Sequence, residues 1–142
     1  MEVRMELARV VISETSDHQV IVLREKEGTE TGDRRSFPII IGIFEAVSID
    51  RSIKGLELPR PLTHDLIVGV IREMGGTLQR IVVDDLVEDE AKRGTFHAKL
   101  HIARDGEDVV VDARPSDAIA LAVRVKCPVF VDDSVLDKVV GG

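Results

Sequence analysis

Neither tryptophan nor tyrosine occurs in these 142 residues, and four phenylalanines are the only aromatic platforms on which a base could stack. A single cysteine, Cys127, excludes an internal disulfide and any paired Cys-x-x-Cys motif, and with them structural zinc. It stands between Lys126 and Pro128 beside a short apolar stretch. There it reads as a small packing residue in a chain of the reducing cytoplasm. No apolar run approaches the ~20 residues of a membrane span. The opening Met1-Glu2-Val3-Arg4-Met5-Glu6 lacks the apolar centre of a secretory signal. Basic runs are missing too, and the net charge is −7. That counts against indiscriminate nucleic-acid binding, so any phosphate contact must be weak, local, or helped by cations. No Gly-x-Ser-x-Gly, P-loop or dinucleotide fingerprint is present, which argues against acyl transfer and nucleoside-triphosphate hydrolysis.

What is there is globular: 44% hydrophobic and 32% charged residues, in a length that suits one domain over 1–142 with a real core. Apolar alternation predicts strands at 3–13, with a shift of side that implies a bulge or burial on both faces, and at 18–25. A charged turn at 25–35 leads to a strand at 37–41, where Pro38 suits a strand start or an exposed edge. Gly42 opens a helix that ends at Gly55, and Thr63 is the expected N-cap of a second helix stopped by Gly75-Gly76. Strands follow at 77–86, 95–103 and 107–112, the last two joined by an Asp105-Gly106 hairpin turn. A helix over 115–126, a short strand at 128–131 and a helix near 133–139 complete the chain. The expected class is α+β: one domain with a mixed or antiparallel sheet and packed helices. The order strand, strand, strand, helix occurs at 3–54 and again at 77–126, which suggests internal duplication of a β-β-β-α unit. Recurrence of a common unit is the plain alternative.

The stretch Asp112-Ala113-Arg114-Pro115-Ser116-Asp117-Ala118-Ile119-Ala120-Leu121-Ala122 organises the rest. Pro115 suits the first helical position, and Asp117 falls in the first turn, facing the positive end of the helix dipole. Ala118 and Ala122, one turn apart, permit close approach of another backbone. This segment resembles the signature of the bifunctional nuclease domain family, small bacterial and plant domains associated with cleavage of both DNA and RNA. Three further stretches resemble the family's motifs in the same order. They are Phe37-Pro38-Ile39-Ile40-Ile41-Gly42-Ile43-Phe44-Glu45-Ala46, Arg60-Pro61-Leu62-Thr63-His64-Asp65-Leu66, and Gly94-Thr95-Phe96-His97-Ala98. The resemblance implies a nuclease-like function on DNA and/or RNA. A non-catalytic, oligomeric interaction or regulatory module is the competing reading.

Candidate chemistry gathers on the same motifs. Glu45 and Asp117 are first-turn acids that, if brought together, suit Mg²⁺ or Mn²⁺ and metal-assisted phosphodiester hydrolysis. Two unrelated helix-cap acids are the alternative. His64 and Asp65 sit at a helix start, where backbone N–H groups attract phosphate. There His64 suits general acid or base work, and Arg60 and Arg114 suit phosphate binding. Capping by Thr63 and Asp65, with His64 packed on the loop, is the alternative. Asp112 completes the catalytic candidates. His97 and His101 lie ~13 Å apart along a strand, too far to share a metal, and with Lys99 form a polar stripe. The two apolar signature helices lead us to expect a homo-oligomer, a dimer or larger.

Overall fold

The computed structural model describes residues 1–28, 32–91 and 93–140. Its strands are β1 (Glu2–Val11), β2 (Gln19–Glu25), β3 (Ser36–Ile41), β4 (Thr77–Glu88), β5 (Gly94–Arg104), β6 (Glu107–Ala113) and β7 (Val129–Asp132). The helices are α1 (Ile43–Ile53), α2 (Thr63–Glu73), α3 (Pro115–Val125) and α4 (Asp133–Val139). Part of the expected turn at 25–35 lies outside the described residues. All strands join one sheet in the order β3-β2-β1-β7-β4-β5-β6. Every pairing is antiparallel except that of β4 with β7, so the sheet is mixed and the class is α+β.

Two three-stranded meanders, each followed by a helix, thus flank the short β7. The order of elements repeats, but repetition of order does not establish a duplication. The side shift anticipated in the first strand is a register change between Leu7 and Arg9. Pro38 lies on the edge strand β3, where the missing N–H costs no ladder bond on the open side. Asp105 and Gly106 both take positive φ, 51° and 79°, as a tight two-residue hairpin requires.

Alternation assigns the faces. Ile21 and Leu23 of β2, Phe37 and Ile39 of β3, Ile81 and Val83 of β4, and Ala98 and Leu100 of β5 are buried in one core. Helix α3 lies at its centre, packed on α1, α2, β4 and β5. From Pro115 to Ala122 every residue is buried except Asp117. Ala118 and Ala122 are almost wholly inaccessible, as close helix packing demands. Burying each larger aliphatic side chain here contributes about 1.5–3 kcal/mol, which holds the starts of α1 and α3 in fixed relation.

On the opposite face, the stripe of His97, Lys99 and His101 is only partly exposed. Lys99 pairs with Asp84 at 3.4 Å and Asp112 at 3.2 Å, and His101 Nδ1 lies 3.0 Å from Asp108. The two Lys99 contacts are cross-strand ion pairs, and His101 faces Asp108 across the β5–β6 hairpin. Cys127 packs against the core, and burial pushes its thiol pKa up to about 11. One boundary shifts from expectation. The N-cap of α2 is Leu62, and Thr63 is the first helical residue. Asp65 rather than Thr63 supplies the capping side chain, its carboxylate accepting the Leu62 N–H at 3.1 Å.

Candidate active site

A cleft of about 560 Å³ opens where the first turns of α1, α2 and α3 meet. Its polar lining comes from Glu45, Ser48 and Arg51 of α1, Thr63 and His64 of α2, and Arg114 and Asp117 at the start of α3. Ile43, Phe44, Val47 and Leu62 supply apolar walls. The helical register explains the convergence: Glu45 and Asp117 are each the third residue of their helices. Free N–H groups at both helix starts favour negative charge at that position. Gly42 leaves room for Glu45, since a Cβ there would stand 2.6 Å from Glu45 Oε2.

Arg114 joins the two acids. Its Nη2 donates to Glu45 Oε1 at 2.6 Å, and its Nε to Asp117 Oδ2 at 2.9 Å. Asp117 and then Glu45 hold the guanidinium pKa above its ordinary value. Among the described residues, Nη1 of Arg114 makes no hydrogen bond, and the side chain is two-thirds exposed. The cation therefore faces the cleft with one donor edge open.

Behind the acids runs a hydrogen-bonded chain. His64 Nε2 lies 2.9 Å from Asp117 Oδ1, and Nδ1 lies 2.7 Å from Ser48 Oγ. Arg124 Nη1 donates to the same Ser48 oxygen at 3.1 Å, while its Nε donates to Asp65. Arginine has no acceptor, so Ser48 accepts from Arg124; the Asp117 carboxylate has no hydrogen and accepts from His64, and in the neutral ring Nδ1 then takes the Ser48 hydroxyl hydrogen. Nε2 is then the N–H donor to Asp117. The Arg124 guanidinium, followed by the Leu62 N–H, draws the Asp65 carboxyl below its usual range.

The structure thus brings together Glu45, His64, Arg114 and Asp117 of the expected site, with Asp65 one step behind through Arg124 and Ser48. It places two candidates elsewhere. Asp112 is bound to Lys99 on the outer face of the sheet, and Arg60 is exposed on its loop without lining the cleft. His64 lines the cleft but is largely buried, with both ring nitrogens engaged, by Asp117 and by Ser48. Ser48, Arg51 and Arg124 were not singled out from sequence. Helical spacing is the signal that finds them: Ser48 is three residues from Glu45, Arg51 seven from Phe44, and Arg124 seven from Asp117.

Comparison with known families matches residues 21–140 to the bifunctional nuclease domain. An uncharacterized protein of Mycobacterium tuberculosis is 41% identical over 125 residues, covering 88% of this chain and 68% of its own. Bifunctional nuclease 2 of Oryza sativa subsp. japonica is 29% identical over 126 residues, 87% of this chain and 36% of that protein. Bifunctional nuclease 1 of Arabidopsis thaliana is 29% identical over 118 residues, 81% and 34%. The chain therefore spans about a third of the plant proteins it matches.

Proposed function

Because the chain belongs to the bifunctional nuclease domain family, we propose that this cleft hydrolyses phosphodiester bonds of DNA, RNA or both. The observation that carries the reading is the convergence of three motifs, distant in sequence, on one hydrogen-bonded set: Glu45, His64, Arg114 and Asp117. A phosphate oxygen would take the open edge of Arg114, which neutralises the negative charge carried by the phosphoryl oxygens in the transition state. Asp117, backed by His64, would accept the proton of the attacking water as its oxygen bonds to phosphorus. The P–O bond to the leaving sugar oxygen then breaks, and that oxygen takes up a proton. Ser48 and Arg124 hold the imidazole so that Asp117 stays aimed.

Glu45 and Asp117 also fit a divalent cation such as Mg²⁺ or Mn²⁺. Such ions take one or two carboxylates and fill their other positions with water and phosphate oxygens. Among the described residues no cluster of three or more metal-ligating side chains occurs, and Arg114 stands between the two acids. Glu45 and Asp117 are the residues that would hold such a cation, and it would supply further neutralisation of transition-state charge.

The same proposal places the protein in the cytoplasm as a homo-oligomer. No helix among the described residues is long and apolar enough to cross a membrane. Leu56, Leu58, Leu66, Val70 and Met74 are exposed on and beside α2, an apolar surface that a second copy would cover. Light scattering at micromolar concentration tests this, since a 15.6 kDa particle at every concentration refutes it. That surface also suits the interaction-module reading, and activity separates the two. Purified protein should cleave labelled DNA or RNA, and His64→Ala should lower turnover by ~10²-fold. Cleavage unaffected by His64→Ala refutes the site, and loss on chelation tests the cation.

A further inference from the structure

We propose that the face of α1 carrying Phe44, Val47 and Arg51 is a subsite for an unpaired nucleotide beside the scissile phosphate, so that the substrate strand is single. This rests on the nuclease reading above and adds to it the form of the substrate. Of the four phenylalanines, Phe37 is buried and stacked on Phe96 at 5.7 Å, and both Phe96 and Phe130 are half-buried. Phe44 alone is open, at 86% exposure, and it lines the cleft one residue before Glu45. An exposed apolar side chain is ordinary in itself. The location of this one decides its meaning: the sole free aromatic face adjoins the carboxylate and guanidinium assigned to the phosphate.

Arg51 is the second observation. It lines the same cleft, and among the described residues its guanidinium makes no hydrogen bond or ion pair, while its backbone carbonyl accepts the Leu56 N–H. Phe44, Val47 and Arg51 recur at helical spacing on one face, and seven residues set the Phe44 and Arg51 backbone positions about 10 Å apart along the axis. The ring offers a surface for a base, and the guanidinium offers charge to a neighbouring phosphate. Together they make the pairing that single-strand sites use: a stacking platform beside a cationic backbone contact. In a duplex both faces of an internal base are covered by its neighbours, so Phe44 reaches one only when the base is unstacked.

The test uses a short single strand with a nuclease-resistant phosphorothioate backbone and one 2-aminopurine, titrated by fluorescence. Wild type should quench the probe. Phe44→Leu should bind about tenfold more weakly without quenching, Phe44→Trp should restore both, and the matching duplex should bind about tenfold more weakly than the strand. Arg51→Gln should lower the slope of log affinity against log salt by about 0.7, whereas Phe44→Leu leaves it unchanged. Phe44→Leu that binds and quenches like wild type overturns the subsite, as does duplex binding equal to single-strand binding. So does an oligomer that Phe44→Leu dissociates with strand binding unaltered, which would make Phe44 a contact between copies. Wild type that cleaves nothing yet binds and quenches as described overturns the nuclease reading alone. Cleavage lost only in Glu45 and Asp117 variants, with Phe44→Leu behaving as wild type, overturns the subsite alone.

Discussion

Replacing Ser48 by alanine removes one oxygen from the middle of the chain that runs from Arg124 to Asp117. Two hydrogen bonds go with it, at 2.7 Å to His64 and 3.1 Å from Arg124. Arg124 keeps Asp65, so its loss is partly compensated. His64 Nδ1 is not compensated, since the ring is buried and Ser48 is its sole hydrogen-bond partner among the described residues. An unsatisfied buried polar atom together with the lost bond costs about 2 kcal/mol. For a domain of this size that lowers Tm by roughly 6 °C. Freed of one anchor, the imidazole can rock about its bond to Asp117, and turnover should fall about tenfold while KM holds. Calorimetry and steady-state cleavage measure the two effects. Nitrogen-15 shifts of His64 report whether Nε2 carries the proton in wild type, as the chain of donors requires. A Ser48→Ala protein with unchanged Tm, unchanged turnover and the same imidazole shifts would refute the role assigned to the chain.

Gly42→Ala should keep the fold, because Gly42 has an ordinary φ of −76°, but its methyl would displace the Glu45 carboxylate and lower cleavage about tenfold. Circular dichroism beside an activity assay checks both halves. Glu25 is buried with Arg35, whose hydrogen bond depresses the Glu25 pKa from an ordinary 4.5. Its stabilisation is complete above that ordinary value and is lost as pH falls through the depressed one. Glu25→Gln should therefore flatten acid unfolding below about pH 4.5, as followed by melting temperature against pH. Cys127, with its thiol near 11, should react slowly with a thiol-specific disulfide reagent at pH 8 in the native protein and fully after unfolding.

The elements carrying the site were legible because their signals are local. Gly42 and Pro115 open α1 and α3, and Gly55 closes α1 at a φ of 69°. Those starts put Glu45 and Asp117 at matching helical positions before any tertiary contact is known. Strand order was not legible. The insertion of β7 between β1 and β4 depends on long-range pairing of a four-residue segment whose apolar run suits any neighbour. Asp112 shows how a sequence motif differs from a spatial one. It is five residues from Asp117, yet the two-residue period of β6 turns it toward Lys99. Ser48 and Arg124 escaped notice because a buried serine and a helix-terminal arginine look like ordinary filler and an ordinary dipole partner. Only the fold shows Arg124 bonded to Ser48 and Ser48 to His64.

The most direct test of the central claim is cleavage of end-labelled single-stranded DNA and RNA by wild type and by Glu45→Gln/Asp117→Asn, purified in parallel. Both substitutions keep side-chain size, so the fold should persist by circular dichroism while the carboxylate charges that Arg114 bridges are gone. Wild type should cleave, and the double variant should lose at least ~10³-fold in rate, about 4 kcal/mol of transition-state stabilisation. Equal cleavage by the two proteins would contradict that claim, because the activity would then lie outside the cleft.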